Sequence, residues 1–291
     1  MPPDVLTDAK PSATRQPSAT IWVDATYRPA LQNAGLHAFD DVMQTTAGHC
    51  LRALAIRENW RLELHTPHAG VRGAYLKKHK IRSPWLWLRA RLGLGPGRTA
   101  GRVEAENVAA LARDGIDAMR LIAFGEKLHT DGRLESFVLT EELAGYTQLD
   151  HFLRKRFHTL VSRTVGRDLD LDRLTADVAT LARRFHERGY NHRDLYCCHF
   201  FVSEGPRGRF ALRLIDLQRV QQRRWFRRRW VVKDLAQLSY SAPRERISNT
   251  QRLRFMKRYL GVRKLGPDDK RLIRAILMKH RGMERRLGAH P

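Results

Sequence analysis

The chain has 291 residues, 42% of them apolar and 29% charged, the balance of a folded globular protein with room for two small domains. Three cysteines (Cys50, Cys197 and Cys198) with no CxxC spacing exclude a disulfide framework and a cysteine-based zinc site, and point to a reducing, cytoplasm-type compartment. Lys and Arg outnumber Asp and Glu by 54 to 30, and the resulting +24 attracts anions (nucleic acid, phosphorylated glycan, acidic membrane) without selecting among them.

Residues 1–20 are rich in Pro, Ser, Thr and Ala, lack an apolar signal core, and read as a disordered tail. Residues 21–59 have mixed character and take no firm assignment. From Trp60 the sequence alternates apolar with polar, so 60–64 and 74–77 read as two strands joined by a turn at 65–73 that contains Gly70 and Gly73. The Trp- and Leu-rich stretch 85–94 is too short to span a membrane and is broken by Arg89 and Arg91, so the protein is expected to be soluble or at most peripheral. A loop at 93–101 leads into a helix over 102–113, stopped by Asp114-Gly115. Two further strands are expected at 118–124 and 136–140, around a polar turn at 129–133.

Beyond Gly145 the pattern becomes helical. Leu174, Val178, Leu181 and Phe185 share one face of a helix over 173–188, which Gly189 ends. Apolar runs at 199–202 and 210–217 follow, and helical periodicity resumes near Lys233, at 251–260 and at 269–283. A β-rich lobe over 21–144 and a helical lobe over 145–291 follow from this order, an α+β chain with its seam near residues 141–146.

The segment Asn191-His192-Arg193-Asp194-Leu195-Tyr196-Cys197-Cys198-His199 lies between a helix stop and an apolar strand, and so forms a loop dense in polar groups. Asp194 there can accept a proton from an attacking hydroxyl. Asp216, 22 residues on, ends a second apolar strand. One carboxylate for the hydroxyl and one for a metal is the minimum set for Mg-dependent phosphoryl transfer. Upstream, Lys77 on a strand and Glu104 on the following helix can form the pair that holds a nucleotide's phosphates. Glu106 competes with Glu104 for that role. The basic segment 223–230 offers Arg223, Arg224, Arg227, Arg228 and Arg229 as a clamp for anionic groups, or as an ordinary solvated loop with two of its aromatics tucked beneath.

His192-Arg193-Asp194-Leu195 resembles the catalytic-loop signature of protein kinases. The wider text resembles the lipopolysaccharide core heptose kinases: 191–200, Ile215-Asp216-Leu217-Gln218-Arg219, Lys233-Asp234-Leu235-Ala236-Gln237-Leu238, and Ser136 to Leu143. The likeness runs from about Leu62 to Tyr259. It implies a bilobal, protein-kinase-like fold and an ATP- and Mg²⁺-dependent kinase that phosphorylates a heptose of the lipopolysaccharide inner core. In that family's terms Lys77 would contact the nucleotide phosphates, with Glu104 as its partner. Asp194 would be the base, Asp216 would hold Mg²⁺, and Thr140, Glu141, Glu142 and Leu143 would form the hinge that meets adenine. His199 stands where protein kinases carry Asn, as metal ligand or as a loop hydrogen bond, and Asp234 would brace the loop. The implied partner is the lipopolysaccharide core or another anionic glycolipid, met at the cytoplasmic face of the inner membrane.

Two other readings are open at this stage. One is a kinase for a different acceptor, a 3-deoxy-octulosonic acid sugar or a protein side chain. The other is a basic nucleic-acid-binding module built on the Arg/Trp segment. The module gives no reason for Lys77, Glu104, Asp194 and Asp216 to fall in this order, so no nucleic acid partner is expected.

Overall fold

The computed structural model describes residues 19–66, 70–157, 169–223, 225 and 227–288. The expected tail up to residue 18, His68 in the first turn, and Arg224 and Phe226 in the basic segment lie outside these. The chain divides into two compact units, one running to Arg113 and resuming over Met119–Ala144, the other formed by Asp114–Ala118 and the chain from Gly145 onward.

The first unit contains β1 (Thr20–Val23), α1 (Arg28–Asn33), α2 (Phe39–Gln44), β2 (His49–Leu54), β3 (Arg57–Thr66), β4 (Gly70–Arg82), α3 (Pro84–Arg91), α4 (Ala100–Arg113), β5 (Leu121–Leu128) and β6 (Arg133–Glu141). The six strands form one sheet, in the order β1-β5-β6-β4-β3-β2. β3 and β4 pair without interruption from Arg57↔His79 to Thr66↔Gly70. The turn expected at 65–73 is therefore much shorter, and Gly73 lies within a strand. Its glycine serves close approach: a Cβ there would run into the Glu142 carboxylate. His65, expected in a loop, is an exposed strand residue.

Residues 21–59, unassigned from sequence, supply β1, β2 and the start of β3 to this sheet and, through α1 and α2, cover one of its faces. Tyr27, Ala30, Leu31, Phe39, Val42 and Met43 pack on Leu62, Leu64, Ala74, Leu76, Ile122, Phe137 and Leu139. On the other face lies α4, and Gly101 lets it descend: a Cβ there would stand 2.9 Å from the Phe137 carbonyl oxygen. Covered on both sides, β5 and β6 are almost wholly buried. The sequence reading of this unit as β-rich with a single helix thus missed α1, α2 and α3. The strand expected at 118–124 starts later, at Leu121, because residues 114–118 belong to the second unit. There the Leu214 N–H donates to the Asp117 carbonyl, and the Tyr190 hydroxyl donates to the Asp114 carboxylate.

The second unit contains β7 (Thr147–Gln148), α5 (Leu149–Arg156), α6 (Leu169–Glu187), β8 (Tyr190–Asn191), β9 (Phe200–Gly205), β10 (Arg209–Leu214), β11 (Gln221–Gln222), α7 (Arg227–Ser241), α8 (Asn249–Leu260) and α9 (Pro267–Leu287). Leu171, Leu174, Val178, Leu181 and Phe185 of α6 are buried, and each such side chain contributes roughly 1.5–3 kcal/mol. Ala179 and Ala182 of α6 meet Leu235, Ala236, Met256, Tyr259, Ile276 and Met283 of α7, α8 and α9. Gly189, at φ +87°, ends α6 and turns the chain into β8, which pairs with β11. No helix among the described residues is long and apolar enough to cross a membrane.

Candidate active site

In the first unit, strand alternation separates two adjacent lysines. Lys78 points into the core face, only 2% exposed, where its ammonium donates to the Thr45 carbonyl at 2.6 Å and lies 5.0 Å over the Trp60 ring. Burial pushes its pKa down. Lys77 points to the face covered by α4, and its Nζ stands 2.6 Å from Glu104 Oε1. Glu104 lies in the buried stripe of α4 with Ala105, Val108 and Leu111, and is fully buried. A buried carboxylate needs a counter-charge, and Lys77 supplies it. Glu106 instead faces Arg98 and Arg102, so the competition between the two glutamates ends in favour of Glu104.

At the end of β6, Glu142 is held within its own unit. Its N–H donates to the Gly73 carbonyl, and its carboxylate accepts two hydrogen bonds from Arg61, at 3.0 and 2.8 Å, and one from Tyr75. The Arg61 guanidinium holds the Glu142 carboxyl below the usual range. Thr140 and Glu141 are strand residues paired to Tyr75 and Ala74, and Leu143 follows.

In the second unit, the segment between β8 and β9 carries His192, Arg193 and Asp194. Asp234 of α7, fully buried, accepts from the His192 N–H at 2.7 Å and from the Arg193 N–H at 2.8 Å, one on each carboxylate oxygen. Arg193 takes a positive φ of 72°, a conformation rare for a side chain of this size, and these two hydrogen bonds hold it there. The His192 ring is buried and donates from Nε2 to the Ile215 carbonyl at 3.1 Å. Burial lowers its pKa to about 4, so the ring is neutral near pH 7.

Asp194 emerges from this braced loop with cations on both oxygens. Arg219 donates to Oδ2 at 2.6 Å, while Lys233 Nζ stands 3.8 Å from Oδ1 and Gln237 Nε2 3.5 Å from it. Lys233 also donates to the Arg193 carbonyl, and burial lowers its pKa. Arg219, Lys233 and Gln237 received no role from the sequence. The signal that could have found the last two is a run of polar residues (Lys233, Asp234, Gln237) on the side of α7 that is otherwise buried.

Asp216 ends the strand-to-turn segment after β10 and, at φ +55°, is the other non-glycine residue with positive φ among those described. His199 Nδ1 donates to the Asp194 carbonyl at 2.6 Å, and its Nε2 stands 3.8 Å from Asp216 Oδ2. Among the described residues no group of three or more His, Cys, Asp or Glu gathers as a metal cage. Mg²⁺ takes oxygen ligands, so of this pair the Asp216 carboxylate is the group with the chemistry to hold it.

The basic segment divides. Arg223 donates to Gln221 and lies 4.8 Å over the Trp230 ring, and Arg227 donates to the His186 carbonyl, so both serve the fold. Arg228 and Arg229 are exposed. Trp230 is a platform that also carries Arg193 at 5.0 Å, whereas Trp225, one of the aromatics that could have tucked beneath the loop, is 80% exposed. Cys197 is buried with its thiol pushed up to about 12, a packing residue.

A β-rich unit with a strand lysine paired to a helix glutamate, and a helical unit with an aspartate on a braced loop, define a phosphotransferase of the protein-kinase-like class. The profile of the "Lipopolysaccharide kinase (Kdo/WaaP) family" matches residues 72–259. A "Lipopolysaccharide core heptose(I) kinase WaaP" of Escherichia coli strain K12 is 30% identical over 251 residues, 85% of this chain and 86% of that protein. The protein of the same name in Pseudomonas aeruginosa is 34% identical over 161 residues, 54% of this chain and 58% of its own. A solved structure, "WaaP in complex with acyl carrier protein", superposes with a TM-score of 0.68 at 28% identity, covering 91% of this chain and 99% of that one. The chain belongs to the lipopolysaccharide kinase (Kdo/WaaP) family, and as a kinase it uses ATP.

Proposed function

We propose that the chain transfers the γ-phosphoryl group of ATP to a heptose hydroxyl of the lipopolysaccharide inner core, at the cytoplasmic face of the inner membrane. The observation that carries this is the Asp194 carboxylate, set on a loop clamped by Asp234, in a chain similar over most of its length to heptose(I) kinases. Asp194 orients the sugar hydroxyl and takes its proton as the new O–P bond forms and the bond to the leaving ADP oxygen breaks. Lys77, positioned by Glu104, holds the nucleotide phosphates, and Lys233 offsets charge on the transferring group. Asp216, with the His199 imidazole beside it, would hold Mg²⁺, which when bound neutralises phosphate charge. The backbone of Thr140, Glu141 and Leu143 is the hinge for adenine, with Glu142 bracing it. Arg228 and Arg229 remain as exposed contacts for an anionic acceptor.

The test is transfer of label from [γ-³²P]ATP to dephosphorylated heptose-containing core lipopolysaccharide. Wild type should label the glycan. Asp194→Asn should fall by about three orders of magnitude or more in kcat, while Glu104→Gln weakens nucleotide binding. Label appearing only on the 3-deoxy-octulosonic acid sugar or on protein would move the acceptor. Full activity of Asp194→Asn would overturn the mechanism.

A second reading adds a partner. The similar solved chain is in complex with acyl carrier protein. The helical unit here holds an apolar cavity of about 450 Å³, lined by Leu153, Leu174, Val178, Leu238, Met256 and Ile276 among others, which suits an acyl chain. We extend the partner to this protein on that ground.

A further inference from the structure

Helix α3 displays on the surface of the first unit what a soluble chain normally hides. Trp85, Trp87, Leu88, Leu92 and Leu94 are between 40% and 61% exposed, five large apolar side chains within ten residues. Single exposed apolar residues are ordinary, but a contiguous group marks a contact surface. The helix that carries them is firmly docked. Leu86 is buried against Leu128 and Leu134, with Ala90 beside it, and the Ser83 hydroxyl accepts from the Leu86 N–H at 3.3 Å to cap the first turn. Gly132, at φ +80°, passes beneath, where a Cβ would stand 2.7 Å from the Trp87 nitrogen. The apolar face is therefore held outward by a rigid base.

Charge identifies what it faces. Between Ile81 and Val103 there are five arginines (Arg82, Arg89, Arg91, Arg98 and Arg102) and no Asp or Glu. Arg102 is spent on Glu126, and Arg89 on the Gly95 carbonyl. Arg98 is exposed but reaches Glu106 at 3.5 Å, whereas Arg82 and Arg91 are exposed, and the Arg91 guanidinium lies 5.0 Å over the Trp87 ring. A second copy of this face would bring arginines against arginines in a chain of net charge +24. An anionic bilayer matches all of it: indole rings settle at the headgroup level, leucines enter the acyl boundary, and guanidiniums meet lipid phosphates. At eight residues α3 is too short to cross the hydrocarbon and can only lie in the interface.

We propose that α3 and the turn after it, residues 82–98, are a membrane-docking element that seats the first unit on an anionic lipid surface. This goes beyond the kinase reading and does not depend on which sugar is phosphorylated.

The experiment is flotation of the full-length protein with vesicles of phosphatidylcholine alone or mixed with phosphatidylglycerol, containing no lipopolysaccharide. Wild type should float with the anionic vesicles and not with the neutral ones. Trp85→Ser/Leu92→Ser, which leaves every charge in place, should weaken that partitioning by about tenfold or more. Both side chains are exposed, so the thermal unfolding curve should not move. Absence of wild-type binding, or equal binding by the double variant, would overturn the proposal, the latter meaning that diffuse positive charge suffices. So would a wild-type dimer that the double variant converts to monomer in sedimentation velocity. Phosphorylation of a deacylated, soluble core acceptor is measured alongside and should be equal for both proteins, so loss of membrane docking and loss of kinase activity read out separately.

Discussion

Replacing Asp234 by asparagine tests whether the loop carrying Asp194 is held from below. The carboxylate gives one oxygen to the His192 N–H and the other to the Arg193 N–H, at 2.7 and 2.8 Å, with His186 Nε2 3.4 Å from the first. Asparagine keeps the shape but has a single acceptor. Whichever way its amide turns, one buried backbone N–H faces an NH₂. The loss is one charge-assisted hydrogen bond, roughly 1.5–3 kcal/mol, plus the desolvation of the orphaned donor, about 1–3 kcal/mol. Arg193 at φ +72° depends on these bonds, since a non-glycine residue held in the left-handed region stores about 1–3 kcal/mol. If about 3 kcal/mol of the total falls on the loop conformation, the equilibrium constant favouring the competent loop drops roughly a hundredfold. Asp234→Asn should therefore lower kcat by up to that factor with the KM for ATP little changed, and should lower Tm. Steady-state kinetics and thermal unfolding of the same preparation check both. A variant with wild-type kcat and wild-type Tm would refute the bracing argument.

Lys233→Met removes an ammonium that stands between the Arg193 carbonyl and the Asp194 carboxylate. If it stabilises charge on the transferring group, kcat should fall about a hundredfold while ATP binding by equilibrium dialysis is unaltered, and an unchanged kcat would remove Lys233 from the chemistry. Acid should also loosen the first unit through His79, whose pKa burial lowers to about 4. The unfolded chain takes up this proton near pH 6.5 and the folded chain only near pH 4. Stability contributed above pH 6.5 is thus lost as pH falls across that window, on the order of 3 kcal/mol. His79→Leu should flatten this part of the urea midpoint-versus-pH curve, and an unchanged slope would assign it elsewhere.

The groups proposed to do chemistry were legible because their signals are local. A helix stop, a polar cluster and an apolar strand within a dozen residues place Asp194 on a loop, and an apolar strand ending in a carboxylate marks Asp216. Periodicity located α4, α6, α8 and α9, since a buried stripe repeats along the chain whatever it packs against. A strand lysine followed by a helix glutamate offered Glu104 with Glu106 as its competitor, and the structure puts Glu104 2.6 Å from Lys77. Other features are settled only where distant segments meet. Helices α1 and α2 have six residues each, too few for a periodic signal, and their reason for existing is the sheet face they cover. Gly73 read as a turn residue because nothing in its neighbours announces Glu142, which needs the space. The cations on Asp194 come from 25 and 39 residues further along the chain, on elements whose own pattern is complete without it. Sequence by itself determined which residue types face which way along the longer, periodic elements, because backbone period and side-chain polarity are properties of the segment. Only the tertiary structure decided which of those faces meet, because burial and ion pairing reward contacts between residues that share no local pattern.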